Sequence, residues 1–158
     1  MLAKIARKLD DWALDKNVEA AAGGLPRIRP CTLRLLGQTA LFEANIELTL
    51  ATTKGVDLVG DYDYAVRAEL ERLLAVEGRE LDPLNGEIWM PRETDYFVLF
   101  SGELVRVLVA EPEAVLVSKA LKAPLKNRPL ITEYLARGPS KRFFDLAAKY
   151  SVELEAFA

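Results

Sequence analysis

The amino-acid sequence predicts an α/β (α+β) protein that opens with a helix, continues with short strands and helices, and closes with helices only. Apolar residues recur at steps of three and four from Leu2 to Trp12, which is the spacing of one helix face. Short apolar runs bounded by glycine or proline, such as Thr32–Leu36, indicate strands. We therefore expect an N-terminal amphipathic helix (residues 1–24), an α/β core (25–110) and a C-terminal helical segment packed on that core (111–158).

The first helix is expected to end at the glycine pair at positions 23 and 24, and the prolines at 26 and 30 favour an extended link after it. Thr32–Leu36 then forms a strand that ends at Gly37, and residues 38–45 form a short helix. Val56–Val59 is the next strand and carries Asp57 in its middle. We expect these two strands to be neighbours in one sheet.

The second half of the core is expected to begin with a capped helix. Asp63 precedes a helical pattern over residues 64–77, and an aspartate there accepts hydrogen bonds from the first free N–H groups of a helix. Gly78 ends this pattern. Three later apolar runs predict strands at Glu87–Met90, Tyr96–Phe100 and Leu104–Val109.

The C-terminal segment reads as three helices. Pro112 and Glu113 are typical of a first helical turn, because proline there loses no hydrogen bond and an acid faces the positive end of the helix dipole. A second helix is expected to begin near Pro129 and to end at Gly138. Ser140 is a favourable N-cap for the third.

Composition limits the classes of function. The chain has 158 residues, of which 51% are hydrophobic and 28% charged, so it can bury a sizeable core. Its net charge of −3 does not indicate nucleic-acid binding, which usually needs a basic face. No apolar run approaches the ~18 residues of a membrane span, and charged residues interrupt any signal-peptide core. These features predict a cytoplasmic protein with no membrane partner.

The counts of histidine and cysteine exclude several chemistries. The chain has 0 histidines and one cysteine, Cys31. Catalysis by Ser-His-Asp or Cys-His groups, imidazole zinc sites and internal disulfides are therefore excluded. Carboxylates, lysines, tyrosines and hydroxyls remain, and any metal would be an oxygen-bound ion such as magnesium.

Four segments in order resemble the nucleotidyltransferase superfamily, and most closely its small bacterial members of the abortive-infection type. Leu35–Ala40 and Thr53–Leu58 are similar to the family's glycine-rich strand-to-helix turn and its Asp-x-Asp strand. Glu111–Lys119 is similar to a later Pro-Glu helix of the family that contains a lysine. Lys126–Ile131 lies where the family usually has a Lys-Asp-x-x-Asp-Ile segment. The resemblance implies a small mixed sheet flanked by helices.

The resemblance also implies a two-metal mechanism. Acids at alternate positions of a strand share one face, and such a pair bridges two magnesium ions that clamp the nucleotide phosphates. In this chain Gly55 occupies the first acid position and only Asp57 remains. Gln38 stands in place of the second glycine of the phosphate-binding turn. We therefore expect a degenerate site.

Residues are assigned to this site by the same resemblance. Asp57 is the remaining catalytic acid. The expected nucleotide-binding residues are Gly37, Gln38, Thr53 and Lys119, and the expected metal ligands are Asp57 and Asp95. The family takes a third carboxylate from a later strand, for which Glu93, Asp95 and Glu103 are the alternatives.

Structural roles compete with each of these assignments. An aspartate between Val56 and Leu58 needs a partner even without a metal, so a structural or capping role for Asp57 competes with metal binding and is favoured over it. Asp61 and Asp63 are better explained by a turn and a helix cap than by metal binding. The basic residues at 119, 122, 126 and 128 are typical of a solvated helix face, the alternative to contact with a triphosphate.

The expected function is a nucleotidyltransferase-like protein that has lost catalysis and acts by binding. Its ligand would be a partner protein, as in a toxin–antitoxin or phage-defence pair, or a nucleoside triphosphate; a homodimer is also open. The alternative is an active, magnesium-dependent enzyme that uses Asp57 and an acid from another strand to transfer a nucleoside monophosphate to a protein or RNA.

Overall fold

Six α-helices and six strands make up the computed structural model, which describes residues 1–158. The helices are α1 (Leu2–Gly23), α2 (Gly37–Glu43), α3 (Tyr64–Val76), α4 (Pro112–Lys122), α5 (Arg128–Ala136) and α6 (Lys141–Lys149). The strands are β1 (Cys31–Leu35), β2 (Gly55–Val56), β3 (Leu58–Gly60), β4 (Glu80–Leu81), β5 (Tyr96–Ser101) and β6 (Val105–Ala110). Short 3-10 turns lie at Asn85–Glu87 and Leu154–Phe157. The predicted α/β class is confirmed.

Four strands form a mixed sheet in the order β3-β1-β6-β5. Strand β1 is antiparallel to β3 and parallel to β6, and β5 is antiparallel to β6. The pairing of Leu35 with Leu58 makes the segments around positions 32–36 and 56–59 neighbours, as expected. Strands β2 and β4 form a separate parallel pair of two residues each.

One face of the four-stranded sheet forms the core of the molecule. Alternate residues of β1 and β6 are buried, because successive side chains point to opposite faces of a strand. The buried set from these two strands is Cys31, Leu33, Leu35, Val105, Val107 and Val109. Helix α1 packs against β5, β6 and α3 on this side, and α2 contacts β6 and α4.

The predicted strand over residues 56–59 is divided into two strands at Asp57. Residues before Asp57 pair with β4, and those after it pair with β1. The backbone of Asp57 is used by the start of α2: its N–H donates to Thr39 Oγ1 (2.9 Å), and its carbonyl accepts from the N–H of Leu36 (2.9 Å). The break therefore occurs where helix α2 takes over the hydrogen bonds that a strand would use.

The strand predicted at Glu87–Met90 is wrong. A 3-10 turn ends at Glu87, and irregular chain follows. The carbonyl of Trp89 accepts a hydrogen bond from the Ser118 hydroxyl, and the Trp89 ring packs edge-on against Tyr150 at a centroid distance of 5.1 Å. Contacts with helices, which local sequence does not reveal, hold this apolar segment in place of a sheet.

The expected caps and helix starts are confirmed. Asp63 accepts from the N–H of Val66 (3.0 Å) at the start of α3, and Ser140 accepts from the N–H of Phe143 (3.2 Å) at the start of α6. Proline lies in the first turn of both α4 and α5. Phe143 is fully buried and stacks edge-on with Tyr134 at 4.9 Å, which places the C-terminal helices in the main core cluster.

Two buried acids fix the sheet to the helices. Asp10 of α1 is 6% exposed, and its Oδ1 accepts from the N–H groups of Leu104 (2.7 Å) and Val105 (2.9 Å). Glu111, at the end of β6, accepts from the guanidinium of Arg142 (2.8 Å). These charge-assisted bonds tie the first and last helices to the β5–β6 hairpin. No helix is both long and apolar enough to cross a bilayer.

Candidate functional site

A cleft of about 790 Å³ lies where β1 ends and α2 begins. Its walls are the α2 N-terminus, the ends of β2 and β4, the irregular segment around Trp89, and the α4–α5 region. Its lining contains both polar and apolar residues, and the charged members are Asp57, Asp82, Glu87, Lys119, Lys122 and Lys126. This volume suits a ligand of nucleotide size.

Gly37 and Asp57 meet at the base of the cleft. Gly37 has φ +51°, and a Cβ on it would lie 2.6 Å from the carboxylate oxygen Oδ2 of Asp57. Glycine is required here for both reasons, since other residues disfavour this φ and a side chain would displace the carboxylate. The glycine of the predicted phosphate-binding turn is thus in direct contact with the remaining acid of the predicted Asp-x-Asp strand.

Opposing effects act on the Asp57 carboxyl. Burial raises its pKa above the ordinary 3.8, and the negative charge of Asp82 raises it further. Backbone N–H groups of Thr39 and Gln38 and the charge of Lys119 lower it, but the net shift is upward. The carboxylate thus lies at the α2 N-terminus, where the helix has no side-chain cap of its own. This position is compatible with a structural role as a substitute cap alongside a role in binding.

Asp82 is the site residue that sequence reasoning missed. The parallel pair β2–β4 has Val56 opposite Leu81, so Asp57 and Asp82 follow at the same end of adjacent strands. A Cβ on Gly55 would lie 3.5 Å from Asp82 Oδ2, so this carboxylate is beside the position where the family's first acid is expected. One oxygen of Asp82 already accepts from the N–H of Leu84 (2.9 Å). The only local signal was an acid directly after Leu81. Because turn-forming residues follow Asp82, a turn was a sufficient explanation for this acid.

Lysines of α4 and the following loop form one wall. Lys119 is mostly buried, which lowers its pKa, while the neighbouring charge of Asp57 acts in the opposite direction. Lys122 and Lys126 are exposed at the mouth, and the Lys122 ammonium lies 5.1 Å from the centroid of the Trp89 ring. Lys119 is therefore not part of a solvated face, and Arg128 does not line the cleft.

Gln38 and Thr53, two other expected nucleotide-binding residues, also line the cleft. Gln38 Nε2 donates to the carbonyl of Ala51 (3.2 Å), and Thr53 Oγ1 donates to the carbonyl of Gly55 (3.0 Å). Both side chains brace the segment before β2. The structure therefore brings together Gly37, Gln38, Thr53, Asp57 and Lys119.

The structure does not bring Asp95 to Asp57. Asp95 precedes β5, the far edge strand, whereas Asp57 lies beside β1 and β3. Its side chain is 85% exposed and lies 3.8 Å from Arg142. Glu93 pairs with Lys149 (2.7 Å), and Glu103 is at the β5–β6 turn, so neither supplies a third carboxylate. Sheet order, which is not readable from one sequence, separates these acids from the cleft.

The acidic groups of the cleft fit one hard cation better than two. No group of three or more acidic or cysteine side chains is gathered at one point. Proteins often hold a single magnesium ion with one or two carboxylates, and waters and phosphates complete its coordination. Asp57 and Asp82 could supply these two carboxylates. A bridged two-metal centre needs more donors than this pair provides.

Comparison with known proteins adds no relative to this description. No protein-family model, no curated protein and no solved structure matches the chain. The chemistry of the cleft therefore carries the functional argument.

Proposed function

We propose that this chain is a nucleotidyltransferase-like protein that binds a nucleoside triphosphate in the cleft and has lost efficient nucleotidyl transfer. The observation that carries the proposal is the placement of Lys119, Lys122 and Lys126 on the same cleft as Gly37 and Asp57. Lysine ammonium groups are common partners of phosphates, and a glycine at a helix start allows backbone N–H groups to approach them.

Electrostatics support a bound anion. Lys119 is mostly buried and burial lowers its pKa, so a phosphate beside it would stabilise its charged form. Lys122 and Lys126 add positive charge at the mouth. The aromatic face of Trp89 is covered by Lys122 in this structure, and a base could stack there once the ammonium turns to a phosphate.

The loss of transfer follows from the count of acids. With Gly55 in the first acid position, the acids that line the cleft (Asp57, Asp82 and Glu87) form no cluster of three that could hold a metal ion. A second metal ion would lack ligands, so the attacking and leaving oxygens would not both be clamped. Binding without turnover fits a protein that acts through the nucleotide it holds.

Magnesium-dependent transfer of a nucleoside monophosphate is the second candidate function. It is favoured by the register of Asp57 and Asp82, which supplies from β4 the acid that β2 lacks. If magnesium binds, Asp57 and Asp82 would hold it, and the ion would polarise a phosphate oxygen. Lys119 would then neutralise charge on the same phosphates.

A thermal-shift screen tests the main proposal. Wild-type protein is mixed with ATP, GTP, CTP or UTP, each with and without magnesium. A triphosphate at one hundred times its Kd stabilises the native state by about 2.7 kcal/mol. This corresponds to a Tm rise of about 5–10 °C for a chain of this size. Lys119→Gln should abolish the rise, whereas Lys141→Gln, at an exposed lysine outside the cleft, should retain it. Absence of any rise with all four nucleotides would contradict the proposal.

Transfer is tested separately with triphosphates labelled at the γ-phosphorus, which leaves in the pyrophosphate. Release of pyrophosphate that requires magnesium and is lost in Asp82→Asn would favour the enzyme. Binding with no pyrophosphate release in the wild type would favour the binding protein.

A further inference from the structure

The second face of the four-stranded sheet is covered by no helix. We call it the uncovered face; it consists of Thr32, Arg34, Val59, Tyr96, Val98, Arg106 and Leu108. Strand register places these side chains next to one another: Arg34 pairs with Val59 on one side and Leu108 on the other, and Leu108 pairs with Val98. Arg34, Val98 and Arg106 are exposed, and the other four residues are partly buried. A partly apolar surface thus spans all four strands.

Two arginines stand in this surface without acidic partners. Arg34 and Arg106 are exposed and take part in none of the ion pairs of the structure. The guanidinium of Arg34 lies over the Tyr96 ring, 5.7 Å from its centroid, so it is oriented across the sheet. Arg106 lies next to Thr32 on the neighbouring strand. In a chain of net charge −3, this is a local positive site within an apolar surround.

We propose that the uncovered face binds an acidic amphipathic helix of a partner protein, whose carboxylates pair with Arg34 and Arg106. Four strands spaced ~4.8 Å apart leave room for one helix of ~10 Å diameter. Carboxylates accept two parallel hydrogen bonds from a guanidinium, and apolar side chains of the helix would cover Val98, Leu108 and Val59.

Charge selects this occupant over two others. A second copy in two-fold symmetry would bring the same face against itself, and because that face contains no acidic residue, neither arginine would gain a carboxylate partner. A nucleic acid would meet Asp61, whose carboxylate accepts from the N–H of Thr32 (2.8 Å) at the edge of the same face. The continuous row of phosphates in a nucleic acid would extend past Asp61, whereas a short helix needs to place carboxylates only over Arg34 and Arg106.

None of the cleft residues belongs to the uncovered face, so binding of a helix there does not depend on nucleotide binding in the cleft. Its test is a phage-display selection of random 16-residue peptides on the wild-type protein, with removal of binders to the double variant Arg34→Glu/Arg106→Glu. Both positions are exposed, so the double variant should fold; circular dichroism and its melting curve check this. Arg34→Gln/Arg106→Gln is a second variant without charge reversal.

The selected peptides should combine Asp or Glu with Leu, Ile or Phe at helical spacing. Their Kd should rise at least tenfold on both double variants and stay within twofold on the cleft variant Lys122→Gln. Neutral or basic peptides, peptides that bind the arginine variants equally, or no enrichment would overturn the proposal. So would light scattering that shows a wild-type dimer lost in the double variant, or an oligonucleotide whose binding is lost there, because each identifies a different occupant.

Discussion

Asp57 and Asp82 are neighbours across two parallel strands, each directly following the paired residues Val56 and Leu81. The two acids are 25 positions apart in the chain, and the pairing of β2 with β4 brings them to the same end of the strands. Their proximity contributes to the raised pKa of Asp57, after the larger effect of burial. Like charges held this way destabilise the free protein and are relieved by a bound cation or by protonation.

Asp57→Asn should therefore stabilise the protein at neutral pH. The pKa of Asp57 is raised above 3.8 in the native state, so native-state stability falls as pH rises from 3.8 through the raised value. Asparagine removes this loss while its side-chain oxygen can still face the α2 N-terminus. Calorimetry should give a Tm a few degrees above wild type at pH 7 and a much smaller difference at pH 3. Asp15→Asn, at an exposed acid of α1, should change neither. A lower Tm for Asp57→Asn at pH 7 would show that its cap role outweighs the charge.

Gly37→Ala should lose stability and nucleotide binding together. Its added Cβ would lie 2.6 Å from the Asp57 carboxylate, in addition to the ~1 kcal/mol cost of a positive φ. Gly78→Ala is the matched control, because Gly78 has φ +71° and open space around its Cβ position. Urea unfolding should show a greater loss for Gly37→Ala by about 1–2 kcal/mol. Equal losses would mean that Asp57 moves aside freely.

Gly55→Asp should increase the affinity of the cleft for magnesium. A Cβ at this position has ordinary van der Waals contacts with Asp82, the nearest at 3.5 Å, so a third carboxylate can be accommodated. Calorimetric titration with magnesium should show affinity at least tenfold above wild type. Gly55→Asn, of the same size without charge, is the control. Equal magnesium affinity in the two variants would argue against position 55 as the vacant acid of the family.

Asp10→Ala should be among the most damaging single substitutions. The Asp10 carboxylate accepts from the N–H groups of Glu103, Leu104 and Val105, and the buried N–H of Val105 would be left without a partner. We expect a loss of about 3 kcal/mol, or about 6–12 °C in Tm. Asp11→Ala, its exposed neighbour on α1, should change Tm by less than about 2 °C. A similar Tm for both variants would show that water forms hydrogen bonds with the freed N–H groups of the β5–β6 hairpin.

Lys149→Met should weaken the dependence of stability on acid pH. Lys149 and the Tyr150 hydroxyl lower the pKa of Glu93 from 4.5 to about 2. A lowered pKa contributes stability that is complete above 4.5 and is lost as pH falls through 2. Unfolding free energies measured between pH 5 and pH 2 should therefore fall less steeply in Lys149→Met than in wild type. Lys141→Met, at the exposed Lys141–Asp145 pair, should keep the wild-type slope.

Features that depend on neighbouring residues were predictable from the sequence. The caps Asp63 and Ser140 act within one turn of the helices that they begin, so their local patterns identified the helix starts. Gly37 was expected to end the strand, and it has φ +51° at the junction with α2. These parts of the fold followed from local residue patterns, whereas the assignment of Gly37 to the cleft came from the family resemblance.

Features that depend on distant pairing were not predictable. The contribution of Asp82 requires the pairing of β2 with β4, and each of these strands has only two residues, too few for a periodic signal. Asp95 was a plausible ligand until the order of strands placed β5 at the opposite edge from β3. The segment near Trp89 has strand-like composition, but the carbonyl of Trp89 accepts its hydrogen bond from the Ser118 hydroxyl and not from a neighbouring strand.

Lys119 and Ser118 are adjacent on α4, and both line the cleft. Ser118 donates to the carbonyl of Trp89, another residue of the cleft wall, and the Trp89 ring packs on Tyr150 after α6. The irregular wall of the cleft is therefore fixed from two sides, by helix α4 and by the residue that follows α6.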